Sequence, residues 1–151
     1  MENILRVILT AAMPVSELRG AIPLAIFGYK FSLPEAFLIS VIGNLLPVPF
    51  LLLLFAPVAK KLRELFFLKK FFLWLENRTK KKARLIEKYE FLGLILFVAV
   101  PFPTTGAWTG SFAATIFKIR FRRAFLAITL GVIIAGIIVT LLSWGGILFL
   151  K

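Results

Sequence analysis

The chain contains no cysteine, no histidine and no aspartate. Without cysteine there is no disulfide and no thiol chemistry. Without histidine and aspartate, Ser-His-Asp and Cys-His triads, aspartyl dyads and the usual zinc sites fall away together. No metal and no cofactor is expected. Charge is scarce: 17% of the 151 residues are charged, against 60% hydrophobic. The mean hydropathy is +0.96. A soluble domain of this size cannot hide so much apolar surface, so one membrane domain over residues 1–151 is expected. The net charge is +12. It sits in short segments between apolar runs, which the positive-inside rule explains without nucleic acid. A cleaved signal peptide is not expected. The first apolar stretch is interrupted by Pro14, Glu17, Arg19 and Pro23, and no small-residue cleavage site follows.

What is present is organised around residues 98–115, inside an uncharged run from Phe91 to Phe117. This run carries Pro101 and Pro103, Gly106 and Gly110, and the hydroxyls of Thr104, Thr105, Thr109 and Ser111. Proline removes a backbone donor and breaks a helix. In lipid such a break survives only where protein or water covers it. The run is therefore expected to be a re-entrant hairpin: a helix, a break over 101–106, and a second helix from Thr105 or Gly106. The plainer alternative is a kinked span.

Residues 4–29 have a similar build. Two apolar arms flank Ser16-Glu17-Leu18-Arg19-Gly20. Ten helical residues reach about 15 Å, half of a roughly 30 Å hydrocarbon core. Gly20 and Pro23 suit a break followed by a new helix. This is the first expected hairpin. Residues 36–59 are uncharged and long enough to span, with a kink expected near Gly43, Asn44, Pro47 and Pro49. Asn44 should face protein rather than lipid. Residues 60–90 hold eleven Lys or Arg and four Glu. They read as a basic cytosolic and interfacial segment, with Trp74 and the phenylalanines at headgroup level. Residues 124–150 form a second uncharged span.

Charge then sets the topology. If 91–117 crossed the membrane, Lys118, Arg120, Arg122 and Arg123 would lie outside, against the positive-inside rule. If it is re-entrant, this membrane-interface cluster is cytosolic, like 60–90. Hairpin plus span then occurs twice, in opposite directions. That is the inverted-repeat plan of secondary transporters. Gly20-Ala21 with Gly106-Ala107, and Gly43 with Gly131, are the expected matching pairs.

Glu17 and Arg19 are the charges set well inside an apolar segment. Ionisable groups at membrane depth face a cavity or a partner and are functional candidates by default. At i and i+2 they do not share a helix face, so they pair only where the backbone is unwound. Glu17 is the expected proton carrier. The second hairpin offers a helix N-terminus, which favours an anion that Arg19 would help to hold. Alternatively Glu17 binds an organic cation. The plainer readings are a buried ion pair joining the hairpins, and hydroxyls bonded back to their own helices.

Glu17-Leu-Arg-Gly-Ala-Ile-Pro23 and Pro101-Phe-Pro-Thr-Thr-Gly-Ala-Trp-Thr-Gly110 resemble the two signature stretches of the small multidrug export protein family, over nearly the whole chain. The layout is similar to the wider DedA (VTT, SNARE-associated) superfamily. There an acidic residue followed by Gly and Pro marks the first hairpin. A Pro-Gly-x-Arg stretch, a later Gly and a basic-aromatic exit mark the second. Gly110 and Lys118-Ile-Arg-Phe-Arg-Arg-Ala-Phe125 resemble that later part. The superfamily's arginine is absent; Thr104 to Gly106 stands in its place. The resemblance implies proton-coupled movement of a phosphorylated polyprenyl lipid, a phospholipid or a drug.

The expectation is thus an all-α integral membrane protein of two inverted repeats, each a re-entrant hairpin plus a transmembrane helix. It would be a multi-pass transporter of a prokaryotic cell (plasma or inner) membrane, forming a homo-oligomer. Its partners would be membrane lipids and an amphiphilic substrate, a lipid phosphate or else a cationic drug. The substrate and proton path would use Glu17, Arg19, Gly20, Pro23 and Asn44 with the 101–111 residues named above. The rivals are a non-transporting scaffold and an enzyme. No base is present to activate Ser16 or Ser111, so an enzyme is not expected.

Overall fold

The computed structural model describes residues 2–64, 83–101 and 105–149. All regular structure among them is helical. Most of the expected interfacial segment, including Trp74, lies outside the described residues, as do Pro103 and Thr104.

Helix α1 covers Glu2–Ala12 and α2 covers Glu17–Pro23. The turn between them is centred on Pro14, not on Gly20 and Pro23 as expected. Pro14 has no N–H to continue the ladder, and its ring would meet the Thr10 carbonyl. The chain turns instead, with Met13 N–H on Thr10 O at 3.3 Å and Glu17 N–H on Met13 O at 3.1 Å. Gly20 and Pro23 lie inside α2. The donor missing at Pro23 is absorbed by a change of pitch: the Leu24 N–H reaches both Gly20 O and Ala21 O, and Leu24–Gly28 forms a π turn.

Helix α3, Leu33–Leu45, opens on a capping box in which Glu35 accepts from the Ser32 N–H at 3.0 Å. Helix α4 covers Val48–Glu64. The α3–α4 joint sits at Leu46 and Pro47, in the proline-rich middle of the expected span. Helix α5 covers Ala83–Ala99, α6 Ala107–Ile116 and α7 Phe121–Phe149.

Among the described residues, two helical runs are long and apolar enough to cross a membrane, Leu33–Phe55 and Phe121–Gly146, with hydropathies of 2.3 and 2.8. Their outward faces are apolar too: Leu38, Ile42 and Phe50 on one run, and Leu126, Leu130 and Leu141 on the other, are exposed. A contiguous exposed face of this kind belongs in lipid.

The inward faces carry small residues. Helix α1 packs on α3 and α5 packs on α7. A Cβ on Gly43 would fall 2.8 Å from the Ile8 carbonyl oxygen, and one on Gly131 would fall 2.9 Å from that of Ile95. Both obstacles are backbone and cannot swing aside. Gly131→Ala is therefore expected to cost about 1–3 kcal/mol of stability. Gly145→Ala, which meets nothing within 4 Å, is expected to leave thermal unfolding in detergent unchanged. Equal melting of the two variants would refute this packing.

The turns that lead into α3 and α7 share a backbone feature. Lys30 and Lys118 both have positive φ, 54° and 57°. Lys118 closes α6 in a left-handed C-terminal turn, with the Ile119 N–H on Ala114 O at 2.9 Å. One interval separates Lys30 from Lys118, Ala36 from Ala124, and Gly43 from Gly131. Gly20 does not pair with Gly106, however. By place in its helix it corresponds to Gly110, since each is the fourth residue and each packs against the preceding arm, at Thr10 and at Val98 respectively.

Candidate functional site

The two chain breaks meet. Helix α6 begins at Gly106, a cap residue with no side chain to offer the first free N–H groups. Glu17 fills that role from the other hairpin. Its Oε1 lies 3.4 Å from the Trp108 N–H. A carboxylate there also meets the positive end of the α6 dipole. Glu17 is 7% exposed. Its φ of 44° is unusual for a residue with a side chain. This left-handed start to α2 unwinds the backbone enough to bring Arg19 near its neighbour. Arg19 Nη2 lies 3.8 Å from Glu17 Oε2 and donates to the Thr105 carbonyl.

The remaining bonds seal the breaks. The Trp108 indole N–H donates to Ala12 O, the last carbonyl of α1, at 3.0 Å. The Thr105 hydroxyl donates to Val100 O, just past the end of α5, at 2.5 Å. Carbonyls freed at a break are costly in lipid, and here each hairpin supplies part of what the other lacks.

Around Glu17 and Arg19 lies a small cavity of about 10 Å³, also lined by Asn44, Pro101, Gly106 and apolar side chains of α7. That is roughly room for one water. A drug-sized ligand needs about 300–1,000 Å³, so in this conformation none reaches Glu17. A wider apolar hollow of about 420 Å³ lies on the flank, between α5 and α6, beside Tyr89, Phe97 and Phe117.

Of the residues expected to form the site, Glu17, Arg19, Asn44, Pro101 and Gly106 line this one cavity, and Thr105 adjoins it through its carbonyl. Gly20, Pro23 and Gly110 serve the helices instead. Ser111 and Thr109 bond back to Ala107 O and Gly106 O, at 2.6 and 3.4 Å. That is the plainer reading of those hydroxyls. Lys118, Arg120 and Arg122 are exposed and Arg123 is half-buried, at the turn into α7 and away from the cavity. Trp108 was not foreseen as a site residue. The signal was there, since an indole donor beside a proline-glycine break has carbonyls to satisfy.

A family model described as "Putative small multi-drug export protein" matches residues 17–138. The chain belongs to this family. The match opens on Glu17, just after the first turn, and takes in the second break, the Leu33–Phe55 run, most of Phe121–Gly146 and every residue lining the cavity except Val139. An export family is not an enzyme class. With the two long apolar helices, membership makes this a membrane protein. No curated protein and no solved structure matches the chain. The likeness to the DedA superfamily therefore rests on its motifs alone.

Proposed function

We propose that the chain is a small proton-linked exporter in which Glu17 carries the proton and an amphiphile is the cargo. The observation that carries this reading is the enclosed carboxylate at the meeting point of two broken helices. Glu17 is held there by Trp108 N–H and Arg19, largely buried beside a cavity with room for about one water. Protonation of Glu17 removes the charge that the α6 N-terminus and Arg19 stabilise. Those donors are then released to another acceptor. A proton and a substrate thus compete for one set of contacts, which is what coupling requires.

The same donors set the first reading of the substrate. A guanidinium and a helix N-terminus suit a phosphate headgroup, so a lipid phosphate such as a polyprenyl phosphate, or a phospholipid, fits them. The family description favours the second reading, a small hydrophobic cationic drug drawn to Glu17 itself.

Both readings use the same architecture, two inverted repeats with re-entrant hairpins. Helices α1 and α6 have 11 and 10 residues, about half a bilayer at 1.5 Å per residue. The shared interval between the halves and the basic turn at 118–123 support the same plan.

The test is transport by purified protein in liposomes, with ethidium and a fluorescent polyprenyl phosphate as the two probes. Wild type is expected to move one probe in response to a pH gradient. Glu17→Gln is expected to lose that response by at least roughly tenfold. Equal, pH-independent transport by both proteins would sink the proton role.

A further inference from the structure

Three buried oxygens have no hydrogen-bond partner among the described residues: Ser40 Oγ, Asn44 Oδ1 and Thr140 Oγ1. Ser40 is 0% and Asn44 1% exposed. Elsewhere in these helices, hydroxyls donate to a carbonyl three or four residues back, as Thr10, Ser111, Thr115, Thr129 and Ser143 do. Ala36 and Gly136 stand at that spacing before Ser40 and Thr140, yet neither hydroxyl takes the bond. Buried polar groups in folded proteins find a partner, and where protein supplies none the partner is water.

The three groups lie on the two helices that pack as the α3–α7 seam. Ser40 and Asn44 are one turn apart on the same face of α3. Asn44 lines the Glu17 cavity. Gly136 of α7 packs against Phe37 and Val41, the residues of α3 that flank Ser40 on that face. Thr140, one turn further along α7, borders an apolar surface hollow of about 250 Å³ with Leu33, Pro34, Phe37, Ile137 and Leu141, at the start of α3. Ser40 and Asn44, as one-turn neighbours, lie about 5–6 Å apart, a gap that a single bridging water closes with two ordinary hydrogen bonds.

We propose that the α3–α7 seam is a hydrated path from the surface at the start of α3 to Glu17, running by Thr140, Ser40 and Asn44. Its use as the proton's way in rests on the proton role proposed for Glu17; its hydration does not. Glu17 and Arg19 are the charged groups at its inner end, and Glu35 stands exposed beside its mouth. Under the charge-based topology this mouth opens on the side opposite the basic segment, the side from which protons would enter an exporter.

Because the chain has no cysteine, each introduced thiol is unique. The experiment measures modification of Thr140→Cys, Ser40→Cys and Asn44→Cys by the cationic reagent 2-(trimethylammonium)ethyl methanethiosulfonate, with the full chain in liposomes. The reference is Ser111→Cys, as buried as Ser40 but bonded within its helix. Thiols react as thiolates in contact with water. The Ser40→Cys variant, matched to the reference in burial, is therefore expected to react at least roughly tenfold faster than Ser111→Cys, and Thr140→Cys, nearer the surface, no slower than Ser40→Cys. Rates equal to that of Ser111→Cys would overturn the path. A second measurement guards against misfolded variants. If the seam is dry, Ser40→Ala and Thr140→Val remove unmet polar groups and raise the melting temperature; a rise would overturn the proposal, and a fall supports it. Fast labelling retained in Glu17→Gln, with transport unaffected by that change, would refute the proton role while leaving the hydrated path standing.

Discussion

Gly106→Ala is expected to unfold the site and abolish transport. The glycine has φ 157° and ψ −165°, a conformation that side chains rarely adopt. The stronger reason is space. The nearest atoms to a Cβ at this position are all from the Glu17 carboxylate, and the added carbon would overlap it. Glu17 cannot yield easily, because it is enclosed and its backbone starts α2. One of two things must give: the carboxylate leaves the α6 N-terminus, or the hairpins separate. Overpacking costs about 1–3 kcal/mol. Leaving a buried charge without its partner costs about 3–5 kcal/mol more. A loss of about 3 kcal/mol or more is expected in unfolding experiments, together with loss of transport. Gly110→Ala should be milder, since its first obstacle is a methyl end of Val98. The contact can be isolated by a double-mutant cycle. In a Glu17→Ala background, Gly106→Ala should cost far less, because the atoms it strikes are gone. If Gly106→Ala costs the same in both backgrounds, the close approach of the hairpins at this point is wrong.

This glycine also shows what a sequence can and cannot disclose. The break before α6 is legible because Pro101, Pro103 and Gly106 interrupt an apolar run, and the observed start at Ala107 lies one or two residues past the expected Thr105 or Gly106. The first break was misplaced. Gly20 and Pro23 look like stronger breakers than Pro14 alone, but a helix keeps a proline where it can shift to a wider turn, as α2 does at Leu24–Gly28. The importance of Glu17 and Arg19 follows from charge at depth. Their partners do not follow. Trp108 lies 91 residues from Glu17, and no local pattern links the two. The notion that the α6 N-terminus awaits an external anion assumed that no side chain would claim it. The fold brings Glu17 there, and a left-handed φ at a glutamate has no sequence signature. Likewise Gly43 reads as part of a kink until α1 packs against it, and Ser40 and Thr140 look like any hydroxyl until a neighbouring helix leaves them without a partner.

Arg19→Ala is expected to have the second large effect, and its repair separates a transporter from a strut. The Arg19 side chain is 24% exposed and that of Glu17 9%, so their pair is screened by water only in part. Removing the guanidinium leaves the carboxylate with one long bond from Trp108, and leaves the Thr105 carbonyl without its cross-hairpin donor. Losses for broken buried pairs run about 3–5 kcal/mol. Partial exposure of Arg19 puts the expected loss near the low end, about 3 kcal/mol. Arg19→Lys should not restore the wild type, because an ammonium is a point charge and cannot serve a carbonyl and a carboxylate in the fixed planar geometry of a guanidinium. The decisive protein is the double variant Glu17→Gln with Arg19→Gln. Neutral amides of similar reach keep hydrogen-bonding capacity at the crossing while removing both charges, and replacing a whole pair is often close to neutral. Its unfolding is expected to return to within about 1 kcal/mol of wild type. Its proton-driven transport in liposomes is expected to stay at background. If the double variant recovers both stability and transport, the pair is a strut between hairpins and the proton is carried elsewhere. If it recovers stability alone, the charges themselves are needed for transport, as the proton role proposed for Glu17 expects.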